Sequence, residues 1–218
     1  PMGGYSNRCD YLGRSGTVDN RRSAYTVAWS SSAGIQTRAR AQVLWLNNGD
    51  QDLVLIKADV IYAFDNLVRE IERTLSESTG RDLAGRVVLT ASHTHHAPAN
   101  FSDSFHFYLG GDRYNEEVFQ RFHDSLVDAA MDAWDTKQAV AIGMGVTEDW
   151  DPDDLVYSDR RGENDTLQVW DDQPAAKRKD PRLWLMRVDT LDGDPLGVFF
   201  NFGIHGTILD SDNAMVST

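Results

Sequence analysis

Apolar residues follow two different periods along this chain, and the places where the period changes mark the predicted elements. Arg40-Ala41-Gln42-Val43-Leu44-Trp45-Leu46 is a run of strand length, and Asn47-Asn48-Gly49-Asp50 after it has hairpin-turn chemistry. Leu53 to Val60 then reads as a second, largely buried strand. From Ala63 to about Ser78 the period becomes helical. Leu67, Val68, Ile71 and Leu75 share one face, while Arg69, Glu70, Glu72 and Arg73 take the other. Gly80 is placed to end that helix. Arg86 to Ser92 is a third strand, running directly into His93-Thr94-His95-His96.

A second amphipathic helix is predicted from about Asn115 to Thr136, with Val118, Phe119, Phe122, Leu126, Val127 and Ala130 on its stripe. Val140 to Val146 follows as a strand. Arg182 to Asp189 and Leu196 to Phe202 form two more around the turn Leu191-Asp192-Gly193-Asp194-Pro195, the last running into Gly203-Ile204-His205. Strands alternating with helices predict an α/β fold, a mixed sheet with flanking helices. Residues 1–34 read mostly as loop, with a short apolar stretch from Tyr25 to Trp29. Between 148 and 172, ten acidic residues face only Arg160 and Arg161, the signature of a solvated loop.

Three of the six histidines crowd the end of one predicted strand. In extended backbone, residues i and i+2 project to one side, so His93 and His95 are expected to face one point and His96 to face away. Two imidazoles so placed can hold a metal and leave positions open for water. For an isolated H-x-H pair, hydrogen-bonded loop histidines are an equal reading. His205 closes a second apolar strand, Phe199 to Ile204, which is expected to be buried; alone it reads as a packed or capping residue. Yet two strand-end histidine sites in one sheet would converge at the edge where α/β ligand sites form. His106, in a loop, and His123, on a helix, have no partner at metal spacing. Asp59 has two readings, a carboxylate behind a ligating imidazole or a helix N-cap. Arg160 on its own reads as an ion-pair partner of Asp159 and Glu163.

Composition narrows the function classes. In 218 residues, 21 basic side chains stand against 34 acidic ones, a net charge of −13. A chain this acidic lacks the footprint for a phosphate backbone, which excludes nucleic acid as the expected partner. No window approaches the unbroken apolar length of a membrane span. The single Cys9 rules out an internal disulfide framework or a thiolate zinc cluster, so redox chemistry says nothing about compartment. The opening Pro1-Met2-Gly3-Gly4-Tyr5 reads as a trimmed end.

Taken together, the motifs resemble the neutral (non-lysosomal) ceramidases, zinc amidases that hydrolyse the amide of N-acylsphingosine. Met2-Gly3-Gly4-Tyr5 is similar to the family's Met-Met-Gly-Tyr, and Ala33 to Ala41 to its T-G-I-H-x-R-L-R-A-R-A stretch. Ser92-His93-Thr94-His95-His96-Ala97-Pro98 resembles G-T-H-T-H-S-G-P. Asp192-Gly193-Asp194-Pro195-Leu196-Gly197, then Asn201-Phe202-Gly203-Ile204-His205, resembles N-G-D-x-L-G…W-F-A-I-H. The resemblance implies that His93 and His205 bind Zn2+ and that His95 engages the reacting amide. Tyr157-Ser158-Asp159-Arg160 is similar to the family's Y-I-N-R, which implies an active-site role for Arg160. Where the family has Ser-Gly-Pro-Gly-Gly, this chain has His96-Ala97-Pro98-Ala99-Asn100, a change expected to restrict backbone approach to a ligand.

The family completes its zinc site with a glutamate and a tyrosine far downstream. Residues 1–218 are therefore expected to be the N-terminal portion of a ceramidase-like catalytic domain, completed by a second polypeptide or a C-terminal remainder. The substrate implied is an N-acyl amide, and the resemblance alone suggests a secreted, periplasmic or membrane-associated location. Rival readings are a processed amidohydrolase whose partner chain carries an N-terminal nucleophile, a different H-x-H metal hydrolase, and a non-catalytic acidic module. Ala97 and Pro98 stand where the metallo-β-lactamase-like H-x-H-x-D-H signature needs Asp-His, and an amidohydrolase barrel needs more chain.

Overall fold

The computed structural model describes residues 2–5, 8, 9, 27, 29, 31–156, 180–206 and 208–218. They fall into two compact units, one of residues 1–137 and 206–218 and the other of residues 138–205.

The first unit is built on three strands, β2 (Ala41–Asn47), β3 (Asp52–Ala58) and β4 (Val87–Ala91). β2 pairs antiparallel with β3, and β3 pairs parallel with β4, so the sheet is mixed as expected. The hairpin between β2 and β3 turns where Asn-Asn-Gly-Asp predicted it. Gly49 takes φ +101°, and its N–H donates to Asn47 Oδ1 at 2.8 Å. The parallel pairing demands a crossover, supplied by helix α1 (Asp65–Thr79). Leu67, Ile71 and Leu75 of α1 are fully buried against Val54, Ile56 and Leu89 of the sheet. Gly80 ends the helix with φ +69°, its N–H donating to Ser76 O.

The short helix α2 (Phe105–Gly111) and the long α3 (Glu116–Asp135) follow. The Asn115 side chain caps α3 by accepting from the Val118 N–H at 3.1 Å. Phe119, Leu126, Val127 and Ala130 join α3 to the same core. His106, expected in a loop, lies exposed on α2. His123 is buried on α3, where Nδ1–H donates to Asp124 and Thr74 Oγ1 lies 3.2 Å from Nε2, so it is a structural histidine joining α3 to α1.

A two-stranded parallel ribbon also belongs to this unit, pairing β1 (Gly34–Ile35) with β8 (Met215–Val216). Residues 181 positions apart meet there, a relationship no local pattern encodes. The loop expected over residues 1–34 is therefore anchored at its end, although most of it lies outside the described residues.

The second unit is an antiparallel sheet of β5 (Val140–Thr147), β6 (Leu183–Thr190) and β7 (Pro195–Asn201). The β6–β7 turn forms over Leu191–Pro195, with Gly193 at φ +93°. Two expectations are corrected here. Among the described residues the strands form separate sheets rather than one, β2–β3–β4 and β5–β6–β7 each having its own hydrogen-bond ladder. The run around β7 is not buried either, for Val198 is 55% exposed, Phe200 65% and Ile204 45%. An apolar sequence can be given a strand's backbone without being given a cover.

Candidate metal centre

β4 delivers the histidine cluster. Its last ladder residue is Ala91, which pairs with Ala58, and the Ser92 N–H still donates to Ala58 O at 3.0 Å. The chain then turns sharply, because His93 adopts φ +59°, a left-handed conformation unfavourable for a side chain with a Cβ. Such strain concentrates at functional sites. The extended geometry that sequence periodicity assumed is absent, yet the convergence it implied is present. His93 Nε2 and His95 Nε2 lie 3.4 Å apart, and their rings meet edge-on at 85°. His96 differs from both and donates from Nε2 to Asp210 O at 3.1 Å.

The tautomer of His93 follows from its partner. Nδ1 lies 2.6 Å from the Ile61 carbonyl oxygen, which can only accept, so the proton sits on Nδ1 and Nε2 keeps its lone pair. That is the arrangement of a ligating imidazole held from behind by a backbone carbonyl. Neither reading of Asp59 holds. Its carboxylate receives Lys57 Nζ and the Arg40 N–H, and the N-cap of α1 is Phe64. Ile61 does what Asp59 was weighed for. A backbone carbonyl leaves no trace in residue type, so the sequence had no signal for it.

His95 is buried, and the N-terminal segment holds it. The Tyr5 ring lies 4.6 Å from the His95 ring, centroid to centroid. Gly4, at φ +97°, passes so close that a Cβ there would lie 2.5 Å from His95 Nδ1 and 2.5 Å from Ile61 Cδ1. Only glycine fits that position. Ala99, which replaces a family glycine, is 1% exposed, and Asn100 is also 1% exposed. A Cβ on Gly3 or Gly111 would meet the Ala99 methyl at 2.8 and 2.9 Å, so those two glycines make its room.

His205 follows β7, is exposed and ends the second unit. Arg160, with the rest of Tyr157-Ser158-Asp159-Arg160, lies outside the described residues.

The donor chemistry fits a divalent cation of the zinc type. His93 presents Nε2 from a ring held at Nδ1 by a carbonyl, and His95 Nε2 lies 3.4 Å from it, placed to meet a group bound beside the ion. Among the described residues no helix is long and apolar enough to cross a membrane.

Comparison with known proteins bears on the same motifs. The curated neutral ceramidase A of Dictyostelium discoideum is 21% identical over 202 residues, covering 88% of this chain and 27% of its own length. The neutral ceramidase of Mycobacterium tuberculosis is 24% identical over 197 residues, covering 85% of this chain and 29% of its own. The chain thus spans less than a third of the length of these relatives. The crystal structure of neutral ceramidase from Pseudomonas aeruginosa superposes with a TM-score of 0.67 at 21% identity, over 87% of this chain and 29% of that one. A ceramidase complexed with C2 superposes at 0.62 and 21% identity, over 86% and 29%. These likenesses establish the shared α/β fold. The family model for neutral/alkaline non-lysosomal ceramidase, N-terminal, matches residues 16–218, both histidine motifs included, and the chain therefore belongs to the neutral/alkaline non-lysosomal ceramidase family.

Proposed function

We propose that this chain is the N-terminal part of a zinc-dependent amide hydrolase that cleaves ceramide or a related N-acyl amide. The observation that carries the reading is the His93–His95 pair: one imidazole held from behind through Nδ1 by the Ile61 carbonyl, its Nε2 3.4 Å from the Nε2 of the other. Family membership adds the substrate class.

In this reading His93 and His205 hold the metal. The likeness of Asn201-Phe202-Gly203-Ile204-His205 to the family's histidine motif supports the second assignment. Bound zinc supplies a Lewis acid and lowers the pKa of water to about 7. His95, clamped by Gly4 and Tyr5, presents Nε2 to the oxygen of the scissile amide and stabilises the charge that develops there. Arg160 supplies a second donor to that oxygen.

A catalytic zinc takes three protein ligands, so two histidines leave the set incomplete. The missing donors come from further polypeptide, a C-terminal remainder or a second chain. Two features support this. The relatives are more than three times as long, and the β5–β7 sheet exposes Met144 (79%), Val198 (55%) and Phe200 (65%), an apolar surface suited to more chain.

The test combines elemental analysis with hydrolysis of a panel of N-acyl amides by the full-length protein. Stoichiometric zinc and ceramide turnover abolished by chelator are the expected results. A metal-free protein with undiminished turnover would overturn the reading.

A further inference from the structure

Arg8 is 4% exposed, and its guanidinium is spent on backbone carbonyls from two distant stretches of chain. Nη1 donates to His95 O, Nη2 to Asn213 O at 2.9 Å and Nε to Ser211 O at 3.2 Å. The same group lies 4.8 Å from the centre of the Tyr5 ring. Tyr5 repeats the bridge, with its ring on His95 and its hydroxyl donating to Leu209 O at 2.8 Å. Residues 5 and 8 thus fasten the histidine turn to the segment 209–213.

From this geometry we infer that Arg8 is a positioning residue, which fixes His95 for the reacting amide by locking the His93–His96 turn to residues 211–213. The inference rests on the role proposed for His95. Three carbonyls converging on one point are matched by a donor with several N–H bonds in fixed directions, and the planar guanidinium fork is the side chain that has them. Lysine carries the same charge on a single point and cannot hold three acceptors in one plane. Burial lowers the Arg8 pKa to about 10, so the group stays charged at neutral pH.

The test uses Arg8→Lys, Arg8→Ala, His95→Ala and the double variant Arg8→Lys/His95→Ala in the full-length protein. In the metal-free state, amide hydrogen exchange in peptides 93–98 and 209–217 is expected to rise together at least tenfold in Arg8→Lys. With metal bound, kcat should fall about tenfold to a hundredfold, with KM and zinc content unchanged. In the His95→Ala background the Arg8→Lys change should cost nothing more. Wild-type exchange rates in both peptides, or an undiminished kcat effect without His95, would overturn the inference. Should Arg8→Ala fail to fold, Arg8→Lys decides. A wild-type protein that turns over no N-acyl amide would sink the functional reading, while the exchange measurement still judges the bridge.

Discussion

The Ile61 carbonyl oxygen sits 2.6 Å from His93 Nδ1, so a residue just past one strand sets the tautomer of the histidine just past the next. β3 and β4 are parallel neighbours, and both of their carboxyl ends open at the same edge of the sheet. A ligand site at that edge follows from the parallel pairing itself.

His93→Ala removes the imidazole that the Ile61 carbonyl holds through Nδ1. Zinc content measured by elemental analysis is expected to drop to background and activity with it. Full zinc retention would contradict the assignment.

His95→Ala separates metal binding from chemistry. The variant is expected to keep its zinc, while turnover of an N-acyl amide falls about a hundredfold to a thousandfold, the usual cost of one lost oxyanion donor. Single-turnover kinetics alongside elemental analysis measure both quantities.

Gly4→Ala tests the tight approach of the N-terminal segment. A methyl there must displace the His95 ring and Ile61 while holding φ +97°, so both strain and overpacking apply. Thermal denaturation should show a loss of about 1–3 kcal/mol, together with reduced turnover. Gly49→Ala is the control, since its Cβ meets nothing within 4 Å although its φ is also positive.

Asp52 provides a pH signature away from the site. Burial pushes its pKa up, but hydrogen bonds from Trp45 Nε1, Asn47 Nδ2 and Arg81 Nε outweigh that, and the net shift is downward. A folded-state value below the unfolded one, about 3.9, gives stability that is present above it and lost as pH falls through the folded value. Asp52→Asn should therefore be less stable than wild type at pH 7, by about 1–3 kcal/mol. The gap should narrow as pH falls below about 4 and close as it passes the lower folded-state value. Urea denaturation at a series of pH values follows both.

Sequence periodicity located the long elements within a residue or two, because each is encoded locally. The stripe of Leu67, Ile71 and Leu75 can only be a helix with one buried face, while Asn115 marks an end by its side-chain oxygen and Gly80 by its left-handed backbone. It failed where the determinant was not local. α2 is seven residues with aromatic and glycine content, too short to show a period. The β1–β8 pairing joins chain ends, and β7 is apolar without being buried.

By itself the sequence determined the α/β class, the strand that carries the histidines and, through motif order, the family. Those are properties of residue type and spacing, which the chain holds before it folds. Only the tertiary structure decided that His93 turns left-handed, that a carbonyl rather than Asp59 holds its ring, and that Gly4, Tyr5 and Arg8 enclose His95. Backbone carbonyls are identical at every position, and a close approach between residues ninety apart has no period. Only three-dimensional packing can choose among them.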